Sequence, residues 1–239
     1  MSFDLTALDF AALGWLVAGW GGYTILTDHV LTGRVGLNAN LKRLRAAWMR
    51  RMVERDNRIT DSSLVGHTIH SVSFFASATM VIIAALLGAF GAVEHAVAVI
   101  GSVRFAATTT SAALQTKLLL LLAIFVYAFF KFTWALRQYN YACAMIGAAP
   151  APTSDPRLIA TFVGTTNEVL TRGLNGFNSG LRAYYFALAA IGWLVHPLIS
   201  IGATTFMLAV LLLRQHRSGA SRAILALADA LERPTEPPG

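Results

Sequence analysis

Apolar residues fall in long blocks separated by polar, charged stretches. The first block, residues 8–26 (LDFAALGWLVAGWGGYTIL), is long enough to cross a hydrocarbon core of about 30 Å. Gly14, Gly19, Gly21 and Gly22 within it would allow close helix contact. A second block covers residues 68–90. A third starts at Lys117 and runs through LLLLLAIFVYAFFKFTWAL, its helix continuing to about Ile146. Gly147 and the prolines of GAAPAPTSDP stop that helix, and Ser154 or Asp155 can cap the next. The last block, residues 183–213, has 31 apolar-rich positions, which is long for one crossing. His196-Pro197 sits near its middle, and proline breaks a helix or starts a new one. Two short crossings, about 180–195 and 198–213, are therefore predicted.

Between the blocks the periodicity is helical and amphipathic. In residues 36–60, Leu37, Leu41, Leu44, Trp48, Met52 and Ile59 share one face at 100° per residue, with Arg43, Arg50 and Arg58 opposite. This helix either lies in the membrane interface or packs beneath the bundle. The segment 157–182 repeats the pattern with a polar stripe. Thr161, Thr165, Glu168, Arg172, Asn175, Ser179 and Arg182 recur at i, i+4, i+7, i+11, i+14, i+18 and i+21. Gly176 and Gly180 in the same segment have the spacing of a close-packing face. The chain ends in a tail, residues 220–239, with a short helix carrying Ile224, Leu227 and Leu231 on one face, then PTEPPG. Residues 91–116 read as a semi-apolar loop. The expected fold is all-α: a single polytopic membrane domain over residues 1–239, with about five transmembrane helices and cytoplasmic amphipathic helices.

Composition agrees. Apolar residues make up 56% and charged residues 13%, with a mean hydropathy of +0.58; soluble domains carry roughly 25% charged residues. The balance is basic, 19 Lys and Arg against 12 Asp and Glu. In a membrane protein this reflects positive loops on the cytoplasmic side. The loop at residues 28–65 carries Arg34, Lys42, Arg43, Arg45, Arg50, Arg51, Arg55 and Arg58, and the C-terminal part carries Arg214, Arg217, Arg222 and Arg233. Both are then cytoplasmic, which requires the break at His196-Pro197 and places the N-terminus in the periplasm of a bacterial inner membrane. MSFDLTALDF has Asp4 and Asp9 but no Lys or Arg, so the first helix is expected to stay in the protein. No nucleic-acid-binding signature accompanies the charge.

Three stretches carry a family resemblance: GLNANLKR at 36–43, AIFVYAFFKF at 123–132 followed by RQYN, and LTRGLNGFNSGLRAYYFALAAIGWLVHP at 170–197. With the hydropathy layout they resemble the domain-of-unknown-function 599 family, membrane proteins of bacteria and plants. The resemblance implies a multispan helical protein and no established activity. It directs attention to Gly36, Asn38, Arg43, Arg172, Gly173, Arg182 and Tyr185.

Candidate chemistry is sparse. The polar stripe is either the lining of a pore or vestibule or the solvated face of an amphipathic helix. His67, His70 and Lys131 form a possible intramembrane ionisable cluster. Lys131 either works there, snorkels to the interface or pairs with Glu168. Lys42, Arg43, Arg50 and Arg51 are candidates to face anionic lipid or a partner. Cys143 is the one cysteine, which rules out an intramolecular disulfide and a multi-cysteine metal site. Without a nucleophile elbow, P-loop or H-E-x-x-H motif, neither an enzyme nor a metal or other cofactor is expected. Two functions remain: an oligomeric ion or small-solute pore or transporter, five crossings being too few to enclose a path within one chain, or a non-transporting scaffold or accessory subunit that binds a partner or anionic lipid. Membrane lipid and further copies of the chain are the expected partners; nucleic acid is not.

Overall fold

The structure, a computed structural model, describes residues 5–27, 37–104, 106–217 and 219–232. Asp28, His29, Arg34, Gly36, Arg233 and the PTEPPG end lie outside them. The described residues form helices α1 (Ala7–Ile25), α2 (Leu37–Val53), α3 (Ile59–Phe90), α4 (Val93–Gly101), α5 (Ser111–Gly147), α6 (Pro156–Val195), α7 (Pro197–Arg217) and α8 (Gly219–Glu232), and contain no strand.

Local sequence sets these boundaries. Thr110 caps α5, its Oγ1 accepting from Ala113 N at 3.2 Å. Asp155 caps α6 by accepting from Arg157 N, with Pro156 in the first turn. His196 takes an extended conformation, α6 ends at Val195, and Pro197 opens α7. The apolar run 183–213 is thus two helical pieces, and Ala107 N donates to the freed Val195 carbonyl at 3.0 Å. The amphipathic segment 36–60 is also interrupted. Its polar run Glu54 to Asn57 ends α2, and Asn57 Oδ1 accepts from Ile59 N at 2.9 Å to start α3. Ile59, expected on the apolar face of α2, instead begins α3 and is exposed. Within residues 91–116, read from the sequence as a loop, α4 forms and packs Val93 against Leu114 and Leu118 of α5.

An α5–α6 hairpin is the spine. The two helices have 37 and 40 residues, roughly 55 and 60 Å at 1.5 Å per residue. Both exceed a hydrocarbon core of about 30 Å, so a large part of each must stand outside it. Their apolar halves lie side by side, and their polar halves meet at the 148–155 connection, here called the polar end. Glycines bring the axes together. A Cβ on Gly173 would press the Tyr139 ring at 3.1 Å, and one on Gly176 would meet Ala135 Cβ at 3.3 Å. One on Gly180 would overlap Phe132 Cζ at 2.7 Å. The Gly176/Gly180 pair is therefore a close-packing face, as its spacing predicts.

Helix α3 packs on α5, α7 on α6 and α1, and α1 also touches α6. One apolar core runs from Leu16 on α1 to Leu211 on α7. Its centre is aromatic: Phe75, Phe125, Phe132, Phe177 and Tyr184 meet with ring centroids 5.3–5.9 Å apart, the spacing at which aromatic pairs attract. Among the first-helix glycines, only Gly19 meets a neighbouring helix, against Leu208 and Thr204 of α7.

Outside this core, Val17, Phe74, Val81, Leu119, Phe130, Leu188 and Phe206 are all more than half exposed. A water-facing surface does not carry such a girdle of large apolar groups. Three stretches, Ile59–Phe90, Ser111–Gly147 and Pro197–Leu231, are long and apolar enough to cross a membrane by length and composition. These features are those of an integral membrane protein.

Candidate functional site

The polar end is built in layers. Helix α2 lies between α6 on one side and α8 on the other, with Met49, Met52 and Val53 fully buried. It packs on the bundle through a face shifted by a residue or so from Leu41, Leu44 and Trp48, which are partly buried. Arg43, expected opposite the apolar face, is enclosed because α8 covers that side. It donates to Asp229 at 2.7 Å and to Asn40 Oδ1 at 3.0 Å, so it is not a free lipid-facing charge. Arg50 and Arg51 remain exposed. On α8 Ala228 is buried and Ile224 and Leu231 beside it on the same face are partly buried, while Leu227, expected on that face, is exposed.

The polar stripe is part of α6 itself, not of a separate helix, and follows its outer face. Thr161, Thr165, Arg172 and Asn175 are exposed; Glu168, Ser179 and Arg182 are half-buried. The hydroxyls of Thr161, Thr165 and Ser179 donate to carbonyls of their own helix four residues back, at 2.8 Å each. Glu168 bridges Lys42 of α2 at 3.1 Å and Arg172 at 3.2 Å. Those two hydrogen bonds hold its carboxyl below the usual glutamate range. Lys131 does not join it: its ammonium lies over the Tyr127 ring at 5.2 Å. The Lys131–Glu168 pairing, one of the readings of Lys131, does not form: the Lys131 backbone is level with Gly176, about two helical turns from Glu168. His67 and His70 are exposed on α3, and among the described residues no hydrogen bond or ion pair joins their side chains to Lys131. A groove of about 500 Å³ follows the stripe beside Gln138.

A second feature unites two of the stretches that carry the family resemblance. Asn38 from the first and Asn178, Arg182 and Tyr185 from the third line one cavity of about 340 Å³, with Arg214 of α7 at its edge. Arg182 is anchored there, donating to Thr27 Oγ1 at 3.1 Å and Ser179 Oγ at 3.0 Å. The α5–α6 glycines and this cavity account for positions that are far apart in sequence but adjacent in space.

The opposite end holds a constellation that the hydropathy pattern conceals. Asp9 and Lys117 form an ion pair at 2.9 Å, with side chains only 6% and 4% exposed. Trp193 Nε1 donates to the same Asp9 oxygen at 2.7 Å, and the Lys117 ammonium lies 5.4 Å from the Trp193 ring centroid. The other Asp9 oxygen accepts from Thr6 N and Thr6 Oγ1 at 2.9 and 2.8 Å. One carboxylate thus fastens α1, α5 and α6 and closes a capping box at the start of α1. Two signals could have found it: Thr6-x-x-Asp9 ahead of an apolar run, and a lysine heading a leucine run as its one charged neighbour. Both residues are satisfied by each other, so the pair is a clasp rather than a vacant site.

Among the described residues, no group of three His, Cys, Asp or Glu side chains could hold a metal ion. No curated protein and no solved structure matches the chain. The profile of one family, described as a protein of unknown function, DUF599, matches residues 11–220. With most of its length covered, the chain belongs to the DUF599 family.

Proposed function

We propose that this protein is a non-transporting membrane scaffold or accessory subunit. In this reading it crosses a bacterial inner membrane five times, through α1, α3, α5, the second half of α6, and α7. Its polar end then stands on the cytoplasmic side and its N-terminus in the periplasm. The basic residues of α2, with Arg214 and Arg217 at the end of α7, support that orientation, and the polar layer is the surface that receives a partner or anionic lipid.

One observation carries the choice of scaffold over pore. The stripe's polar groups are already engaged within the chain: three hydroxyls by their own backbone, and Glu168 by Lys42 and Arg172. Much of the stripe also lies beside the polar half of α5, since Gly173 is level with Tyr139 and Gly180 with Phe132. A row that lies largely outside the apolar zone, with its hydroxyl protons and its one carboxylate already engaged, is poorly suited to line an ion path across the membrane.

The oligomeric pore keeps one supporting observation: the stripe faces outward, where further copies could enclose it. Flux separates the two. Proteoliposomes of the full chain should release no more K⁺, Na⁺ or Cl⁻ than empty liposomes. Flux above that background which changes in Glu168→Gln would overturn the scaffold and establish the pore.

A further inference from the structure

At the polar end, most of the described cations, exposed or enclosed, have an anion or carbonyl ligands. Arg43 has Asp229, Arg55 has the buried Asp61, Lys42 and Arg172 share Glu168, and Arg58 donates to the carbonyls of Ala149 and Pro150. Arg45 differs. Among the described residues its one hydrogen bond runs from Nη2 to the neutral Thr171 Oγ1 at 3.0 Å, and its Nε, like those of Arg58 and Arg182, is shut off from solvent with no acceptor there. Thr171 in turn spends its own proton on the Asn167 carbonyl at 2.7 Å. Burial holds the guanidinium below its usual range, and only the Tyr139 hydroxyl opposes that. A guanidinium stays charged in proteins, and an enclosed charge without a counter-charge is costly.

Beside it is a cavity of about 300 Å³ whose chemistry is divided. Arg45, Trp48 and Tyr139 make its polar side; Leu64, Val65, Leu170 and Leu174 make its apolar wall. Leu64 is 51% exposed on the outer surface of α3, so the cavity opens sideways, where α3 begins its apolar run. The occupant must bring a negative charge to Arg45 and apolar atoms to the leucines, and it must enter along the side of the bundle.

We infer that this cavity binds the phosphate of an anionic membrane phospholipid, with its acyl chain laid over Leu64 and outward along α3. A planar guanidinium fork suits phosphate oxygens, and basic pockets between helices at the membrane boundary take lipid headgroups. The lipid supplies a counter-charge that the described residues do not. The inference rests on the scaffold reading for its location at a membrane face, but its test does not depend on flux, so either can fail alone.

The test uses delipidated full-length protein in detergent, titrated with phosphatidylglycerol, with phosphatidylcholine and with inorganic phosphate. Thermal unfolding is one readout. Tryptophan quenching by phosphatidylglycerol brominated on its acyl chains is the other, compared with Trp48→Phe. Phosphatidylglycerol should raise Tm and quench Trp48, with at least tenfold weaker binding in Arg45→Gln and near-wild-type binding in the exposed-charge control Arg51→Gln. Leu174→Trp, which leaves Arg45 in place but fills the cavity, should also abolish the effect, so the idea stays testable if Arg45→Gln folds poorly. Equal lipid binding in wild type, Arg45→Gln and Leu174→Trp would overturn the proposal. Inorganic phosphate giving the same stabilisation with no lipid preference would overturn the lipid as its source.

Discussion

Replacing Lys117 by Met removes the positive half of the most enclosed ion pair described in the bundle. At 2.9 Å and an effective dielectric of about 20, the direct attraction is about 6 kcal/mol. Desolvation of both groups offsets much of it, but that cost is already incurred by the fold. Lys117→Met therefore strands a carboxylate whose side chain is 6% exposed, and breaking such a pair costs about 3–5 kcal/mol. Asp9→Leu loses more than the pair, since Asp9 also accepts from Thr6 and Trp193; a lost cap alone costs about 1 kcal/mol. The double variant Asp9→Leu/Lys117→Met leaves no buried charge, and apolar replacement of a whole buried pair is neutral or stabilising by about 1–4 kcal/mol. Less the cap, it should unfold near the wild type and well above either single variant. Thermal unfolding in one detergent, read as a double-mutant cycle, gives the coupling directly. A coupling below about 1 kcal/mol would refute the reasoning, because that is the range of hydrated surface pairs.

Three further outcomes follow from the packing. Gly180→Ala should destabilise by about 1–3 kcal/mol despite its better helix propensity, because its Cβ meets the Phe132 ring; Phe132→Leu in the same chain should recover part of the loss, measured by the same unfolding. Glu168→Gln should cost less than about 1 kcal/mol globally, since the group is 44% exposed, yet speed amide exchange in α2 by loosening Lys42. The sign with pH is the same: a carboxyl held low contributes above its unfolded value, and that contribution is lost as pH falls through its lowered folded value. In a Cys143→Ala background, Ser102→Cys and Ala220→Cys should react with an impermeant thiol reagent from opposite faces of sealed vesicles; labelling from one face would remove the five-crossing topology.

What the sequence displays and what it hides divide along physical lines. Helical periodicity, the Asp155-Pro156 start and the His196-Pro197 break are local, and each lies where its residues predict. The glycine spacing of α6 is also local, and it correctly marks a close-packed face. Partner choice is not local. Glu168 reads as a partner of Arg172 or Lys131, and its pairing with Lys42 depends on the docking of α2 against α6. Arg43 reads as solvated until α8 folds over it. Asp9 and Lys117 are each charged residues at the edge of apolar runs, 108 positions apart in the chain; each is locally conspicuous, but neither neighbourhood says that the other is its partner. The same holds for the cavity around Arg182, whose walls come from α1, α2, α6 and α7.

The two ends of the bundle are held by forces of different strength, and this bears on where the protein can respond to anything it binds. Glycine-notched contacts and an aromatic core join α3, α5 and α6, and a buried clasp adds α1; none of these interactions is weakened much by salt, because screening acts on exposed charges. At the polar end the attachments of α2 and α8 include Lys42–Glu168, with side chains 50% and 44% exposed, and Arg43–Asp229, with side chains 23% and 48% exposed. Such pairs contribute about 0–1 kcal/mol each and weaken with ionic strength. An anion arriving at Arg45, or a protein partner at the exposed Arg50 and Arg51, therefore acts beside the most weakly attached helices while the spine stays fixed. A shift of α2 would carry Lys42 away from Glu168 and Asn38 away from the Arg182 cavity together, since both sit on that one helix. The Arg45 cavity, the stripe's Glu168 and the motif-lined cavity thus all meet α2, and α2 is the element on which a binding event at any of them would first be read.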